Sequence, residues 1–186
     1  QNPTRYGAIP KAVDESAAKK IDGYVGAYVN KEGFTRVNTG YVVAIGETYW
    51  AAEKAAKALK IDWDLGENKN ISSDDIRDES IRLQKDPNAG FLWVLEGDTV
   101  KGMKNAANKH TAAYETAIAY HGCLEPMNGV AYEKDGIMHI HSGHQSFTFA
   151  VGNTAAALGV EQDKIVCHQY YAGGGFGRRT EPDLHV

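Results

Sequence analysis

Val130-Ala131-Tyr132-Glu133-Lys134-Asp135-Gly136-Ile137-Met138-His139-Ile140-His141 is the stretch on which the fold turns. Two β-rich runs flank Lys134-Asp135-Gly136, and an Asp-Gly pair between such runs specifies a tight antiparallel hairpin. The second run continues through Ser142-Gly143-His144 to Gln145. Ser146 to Gly159 then reads as a helix, with Gly159 as its C-terminal stop. Lys164 to Tyr171 reads as a strand that runs into Gly173-Gly174-Gly175-Phe176-Gly177-Arg178-Arg179.

Working upstream, Phe91-Leu92-Trp93-Val94-Leu95 reads as a buried strand and Asp98 to Lys109 as a short helix. In Thr111 to Tyr120 the alternation of Tyr114, Thr116 and Ile118 favours a strand. Residues 66–90 are polar and read as a connection with a solvated, charged face. Within it a short helix is expected, capped by Ser73, with Ile76, Ile81 and Leu83 as its apolar residues and Asp86-Pro87-Asn88 as its end. Residues 1–65 read as mixed α and β. Tyr24–Val29 and Tyr41–Ile45 are strands, with turns at Gly33 and at Asn38 through Gly40. Glu47 to Lys60 is a helix with Glu47 and Thr48 as cap candidates, and Ile61-Asp62-Trp63 is a return strand. The expected class is α+β, with boundaries at 1–65, 66–90 and 91–186.

The composition narrows the function. The chain has 186 residues, 42% of them hydrophobic, with 20 Lys plus Arg against 24 Asp plus Glu and a net charge of −4. That excludes wholesale disorder and leaves room for a real core. It also argues against nucleic acid as a partner, since such proteins carry a basic footprint. No stretch of ~18 apolar residues occurs, so no membrane span is expected. Gln1 to Pro10 are polar and broken by prolines, unlike a secretory leader. Cys123 and Cys167 do not form a C-x-x-C pair, so the chain cannot by itself hold an iron–sulfur cluster or a Cys-based zinc site. Two buried free thiols are expected, with a single disulfide as the alternative in an oxidising compartment.

Three clusters carry candidate chemistry. The loop at 173–179 departs from both G-x-G-x-x-G and the P-loop pattern. Its glycines permit close backbone approach to a ligand, successive N–H groups suit an anion, and Arg178 and Arg179 add donors suited to phosphate. A structural turn is the plain alternative. His139 and His141 share one face of a strand and can share a metal, with His144 as a third ligand; a solvated hairpin face is the alternative. Gln145 offers a neutral amide that can hold an oxo group without adding charge. Glu125, before Pro126, is either a desolvated base or, on the plainer reading, a loop carboxylate bonding backbone N–H groups.

Taken in order, His121-x-x-x-Glu125-Pro126, a strand ending in Gln145, and Gly-Gly-Gly-Phe-Gly-Arg-Arg at 173–179 resemble the molybdopterin-binding large subunit of the xanthine dehydrogenase/aldehyde oxidase family. The double arginine and Glu125-Pro126-Met127-Asn128 resemble the isoquinoline 1-oxidoreductase beta-subunit and bacterial aldehyde dehydrogenase type. Thr48 to Ala52 and Ala58 to Asp64 resemble that family's α/β hammerhead domain. The resemblance implies a hammerhead-like unit followed by the first part of a molybdopterin-binding domain. It implies that Gln145 approaches an oxygen ligand of molybdenum, and that Gly174, Gly175, Phe176, Gly177 and Arg178 bind the cofactor, in its cytosine dinucleotide form. The implied reaction is hydroxylation of an aldehyde or N-heterocycle with oxygen from water. The implied partners are the remainder of the large subunit and a small subunit with 2Fe-2S clusters, in a periplasmic or membrane-associated setting of a bacterium, or alternatively the cytoplasm. The family's general base lies in none of these motifs, so the chain is expected to be a fragment, inactive alone. Two other readings stay open: a non-enzymatic phosphate or nucleotide module using the glycine loop with Arg178 and Arg179, and a metal site on His139, His141 and His144.

Overall fold

The computed structural model describes residues 1–31 and 39–181; the turns expected at Gly33 and Asn38 lie outside that range. The chain divides into two compact units, Gln1–Lys69 with Tyr120–Val186, and Asn70–Ala119.

In the first unit, β1 (Ile9–Asp14), β2 (Tyr24–Asn30), β3 (Tyr41–Gly46), α1 (Tyr49–Ala58) and β4 (Lys60–Asp64) follow in chain order. β2 pairs with β3 and β1 with β4, both antiparallel. Thr48 caps α1, its hydroxyl accepting from the Ala51 N–H at 3.2 Å. The small face of the helix, Ala51 and Ala55, is buried. Ala55 packs with Ala18, Val42 and Leu59 in a core flanked by Trp63, Val29 and Ile61. β1 escapes the sequence reading, because Pro10 cannot donate to a ladder and sits where the β1–β4 register shifts.

The same unit carries β5 (Gly129–Lys134), β6 (Ile137–Ser142), α4 (Phe147–Leu158) and β7 (Ile165–Gln169), numbered with the second unit's α2 and α3 between. Lys134 faces Ile137 across a two-residue turn, Asp135-Gly136, in which both residues have positive φ, as a type I′ hairpin requires. β7 lies parallel to β6, in the order β5-β6-β7. α4 connects the two parallel strands, and Ala155 packs on Ile140 and Ile165. The helix ends at Gly159 in the left-handed conformation. β6 thus splits its side chains: Ile140 and Ser142 are buried, while His139 and His141 face the other way.

In the second unit, α2 (Ser73–Gln84) is capped by Ser72, one residue before the expected Ser73. The reason is reciprocity. Asp75 Oδ2 accepts from the Ser72 N–H (2.8 Å) while Ser72 Oγ accepts from the Asp75 N–H (3.2 Å). Ser73 would have Ile76 in the returning position. α3 (Thr99–Asn105) is shorter than expected and capped by Asp98. Two expected strands, Phe91–Leu95 and Thr111–Tyr120, are not strands. No pairing partner lies beside either among the described residues, and Trp93 is 87% exposed. An apolar run becomes a strand only when another backbone satisfies it.

Candidate functional site

β6 and β7 run parallel, so the segments leaving them emerge at the same end of the sheet, the usual place for ligand sites in parallel sheets. Gln145 lies three residues beyond β6 and the glycine loop four beyond β7. The structure brings them together: the Gly177 N–H donates to Gln145 Oε1 at 3.1 Å, and the Gln145 N–H donates to the Arg179 carbonyl at 2.9 Å. A Cβ on Gly175 would stand 2.5 Å from Gln145 Oε1 and 2.6 Å from its Cδ. Only glycine admits the amide there. Phe176 holds a positive φ of 52°, its ring exposed, which bends the loop. Arg178 begins a single helical turn, its N–H bonded to the Gly175 carbonyl at 2.8 Å. The backbone N–H groups of Gly174, Gly175 and Phe176 and the Gln145 amide nitrogen have no acceptor among the described residues.

Glu125 and Arg179 stand behind the loop. Glu125 Oε2 accepts from the Gly173 N–H at 2.6 Å and from Arg179 Nη2 at 2.8 Å, and Oε1 accepts from the Asn128 amide at 3.1 Å. The Gly173 N–H, the Asn128 amide and the Arg179 charge hold its carboxyl below the usual range, against partial desolvation. Glu125 is therefore the loop carboxylate of the plainer reading and not a poised base. Arg179 is fully buried and turned inward. That corrects the phosphate-capture reading, in which Arg179 was to reach a ligand: the side chain is fully buried, and its Nη1 and Nη2 donate to the Gly143 and Glu125 carbonyls. The double arginine after the glycine run was the available signal, but it does not say which of the two turns inward, and the partner of Arg179 lies 54 residues away.

The histidine reading also changes. His141 stacks on His168 (ring centroids 4.1 Å apart, planes 9° apart), and His139 Nδ1 lies 2.9 Å from His168 Nε2. Tyr132 stacks on His139 at 5.1 Å. His144 belongs elsewhere: it is buried, and its Nδ1 accepts from the Ser146 N–H. Among the described residues no three His, Cys, Asp or Glu groups converge on a metal position. Burial within the stack, and then the neighbouring imidazoles, push His141 below the ordinary histidine value. His168 was missed because only the parallel pairing of β7 sets it opposite His141. A cavity of about 590 Å³ opens beside this stack, walled by Tyr132, His141, Tyr170 and Tyr171, with Glu125 and Asn128 at its rim. Cys123 and Cys167 are both free and only half-buried, short of the expected burial, and Cys123 Sγ lies 3.7 Å from the Gly175 carbonyl.

Comparison with known proteins places the chain in a family. The chain is 39% identical over 187 residues to a membrane-bound aldehyde dehydrogenase (pyrroloquinoline-quinone) of Gluconacetobacter polyoxogenes, covering 99% of this chain and 24% of that protein. It is 27% identical over 188 residues to the isoquinoline 1-oxidoreductase subunit beta of Brevundimonas diminuta, covering 97% of this chain and 23% of that protein. The chain thus spans about a quarter of the length of these curated relatives. The crystal structure of the aldehyde oxidoreductase from Desulfovibrio desulfuricans shares the fold, with a TM-score of 0.59 and 19% identity over 94% of this chain and 23% of that one. No helix among the described residues is long and apolar enough to cross a membrane. The model of the molybdopterin cofactor-binding domain matches residues 83–185, more than half of the sequence, and the chain belongs to that family.

Proposed function

We propose that Gln145 and the 174–177 loop form one wall of a molybdenum–pterin site in a molybdenum hydroxylase that oxidises aldehydes or N-heterocycles with oxygen from water. One observation carries the reading: a neutral carboxamide set against a bend of bare backbone, at a spacing that only glycine at 175 permits. The residues fit such a group chemically. Its outer atoms are oxygens and nitrogens, and the wall offers the Gln145 amide N–H together with unaccepted N–H groups of Gly174, Gly175 and Phe176. Arg178, beside them, supplies a charge suited to a phosphate of the cofactor in its cytosine dinucleotide form.

When bound, the molybdenum–pterin group supplies the two-electron chemistry and the activated oxygen. The chain's own part is positional. Gln145 Oε1 is fixed by the Gly177 N–H, so the amide nitrogen is the donor that would meet an oxygen of the bound group. The loop adds no side chain except the Phe176 ring, which stands exposed where it can cover a substrate. Glu125 stays ionised and bound to Gly173, and so moves no proton. On this reading residues 1–65 form a hammerhead-like unit, 66–90 a connection and 91–186 the first part of the cofactor domain. The working assembly includes the remainder of a large subunit and a small 2Fe-2S subunit, in a periplasmic or membrane-associated setting. The 186 residues alone lack turnover.

The test is elemental analysis of the natively assembled protein against its Gln145→Ala variant, with a redox-cycling stain for quinone. Stoichiometric molybdenum that falls in the variant supports the reading. Quinone without molybdenum, matching the cofactor in the Gluconacetobacter relative's name, refutes it. Aldehyde oxidation by the isolated 186-residue chain refutes the claim of inactivity.

A further inference from the structure

Arg179 is the one charged side chain, among the described residues, that is fully buried. Its guanidinium ties three segments together. Nη1 donates to the Gly143 carbonyl at 3.2 Å, and Nη2 donates to the Glu125 carbonyl at 2.9 Å and to its carboxylate at 2.8 Å. The same carboxylate takes the Gly173 N–H, and the Glu125 N–H returns to the Gly173 carbonyl at 3.3 Å. The Arg179 carbonyl in turn takes the Gln145 N–H. The start of the glycine loop, its end, and the turn that carries Gln145 therefore hang from a single ion pair.

Burying the Arg179 charge costs about as much desolvation as its attraction returns, and the Glu125 side chain is still 33% exposed, so stability alone is a weak reason to keep the pair. What this pair does provide is position. Beside it, the Gly177-to-Gln145 side-chain bond and the Gln145-to-Arg179 backbone bond also link the Gly143–Gln145 turn to the loop segment, but neither reaches Glu125 or the loop's start at Gly173. We infer that Arg179, closed on Glu125, is a positioning residue that sets the Gln145 carboxamide against the glycine bend before any ligand arrives. Its importance for the reaction rests on the cofactor reading above; its action on the loop does not.

The experiment is amide hydrogen exchange, resolved to single amides by fragmentation mass spectrometry, on the natively assembled protein and its Arg179→Met, Arg179→Lys and Glu125→Gln variants. In Arg179→Met and Glu125→Gln, exchange at Gln145, Gly173 and Gly177 is expected to rise at least tenfold, while amides of the central strand β6 change less than threefold. Arg179→Lys is expected to be intermediate, because an ammonium keeps the Glu125 pair but cannot span the Gly143 carbonyl as well. A uniform rise across β6 and the loop would mean a purely structural role and overturn the proposal, as would no change at the three amides. If Arg179→Met does not fold, Glu125→Gln alone must show the selective loss. Molybdenum content is read separately. Deprotection of the loop together with molybdenum unaffected by Gln145→Ala would keep the clamp and remove the cofactor reading.

Discussion

Replacing Gly175 by alanine isolates the contact that matters most. The added Cβ would fall 2.5 Å from Gln145 Oε1, 2.6 Å from Cδ and 3.2 Å from Cγ. All three are atoms of one flexible, exposed side chain, so the carboxamide swings away and the backbone stays. What is lost in the chain itself is the 3.1 Å bond from the Gly177 N–H. An exposed hydrogen bond of that kind is worth about 1 kcal/mol. For a chain of this size that lowers Tm by roughly 2–4 °C. The effect on ligand retention is larger in proportion. On the proposed cofactor reading, a misplaced amide would also forfeit its bond to that group, and about 1.4 kcal/mol is tenfold in affinity. Differential scanning calorimetry of the chain and molybdenum content of the natively assembled protein should therefore part company, the first barely moved and the second cut about tenfold. Full molybdenum occupancy in Gly175→Ala, or a Gln145 side-chain NH2 resonance at its original shift, would refute the reasoning.

Other outcomes follow from the same geometry. Glu125 is held below the usual carboxylate range in the fold, so its contribution is present above the unfolded value and is lost as pH falls through the depressed one. Thermal melts down an acid series should show that loss, and Glu125→Gln should flatten the slope. His141 is depressed below 6.5, so the unfolded chain binds its proton more readily and stability falls as pH drops below that value; histidine-resolved NMR titration should find it still neutral where a free imidazole is charged. Ile140 is 2% exposed between α4 and β7. Ile140→Ala should cost about 3 kcal/mol in urea unfolding, and a loss under 1 kcal/mol would mean that this core is not packed as described.

What the sequence reveals about this fold is whatever is decided within a dozen residues. Asp135-Gly136 can make only a tight turn, Thr48 can reach the Ala51 N–H, and Gly159 can take the left-handed stop; each is settled locally and each is present. β1 is different: Pro10 disguises it, and its partner β4 lies some fifty residues on. The run Phe91–Leu95 shows the opposite failure, since apolarity states a need for a partner without showing whether one is there. At the site, Gln145 and the glycine loop could be paired from sequence only through the family resemblance, and the structure sets the two side by side. The Glu125–Arg179 pair was not legible, because two ordinary charges 54 residues apart carry no mark of meeting. The same holds for His168, which joins His139 and His141 only through the β6–β7 register.

That register has an evolutionary edge. Ser142 lies opposite Gln169, and both strands deliver their loops from the same rim. Sliding β7 by one residue would shift its loop by ~3.3 Å and turn every side chain over, exchanging Ile165 and Cys167 for Val166 and His168 against α4. No intermediate alignment exists between those two. Drift in the loops can therefore retouch this wall by single substitutions, but an insertion within β7 would dismantle the hydrophobic seam and the amide–glycine meeting in one stroke.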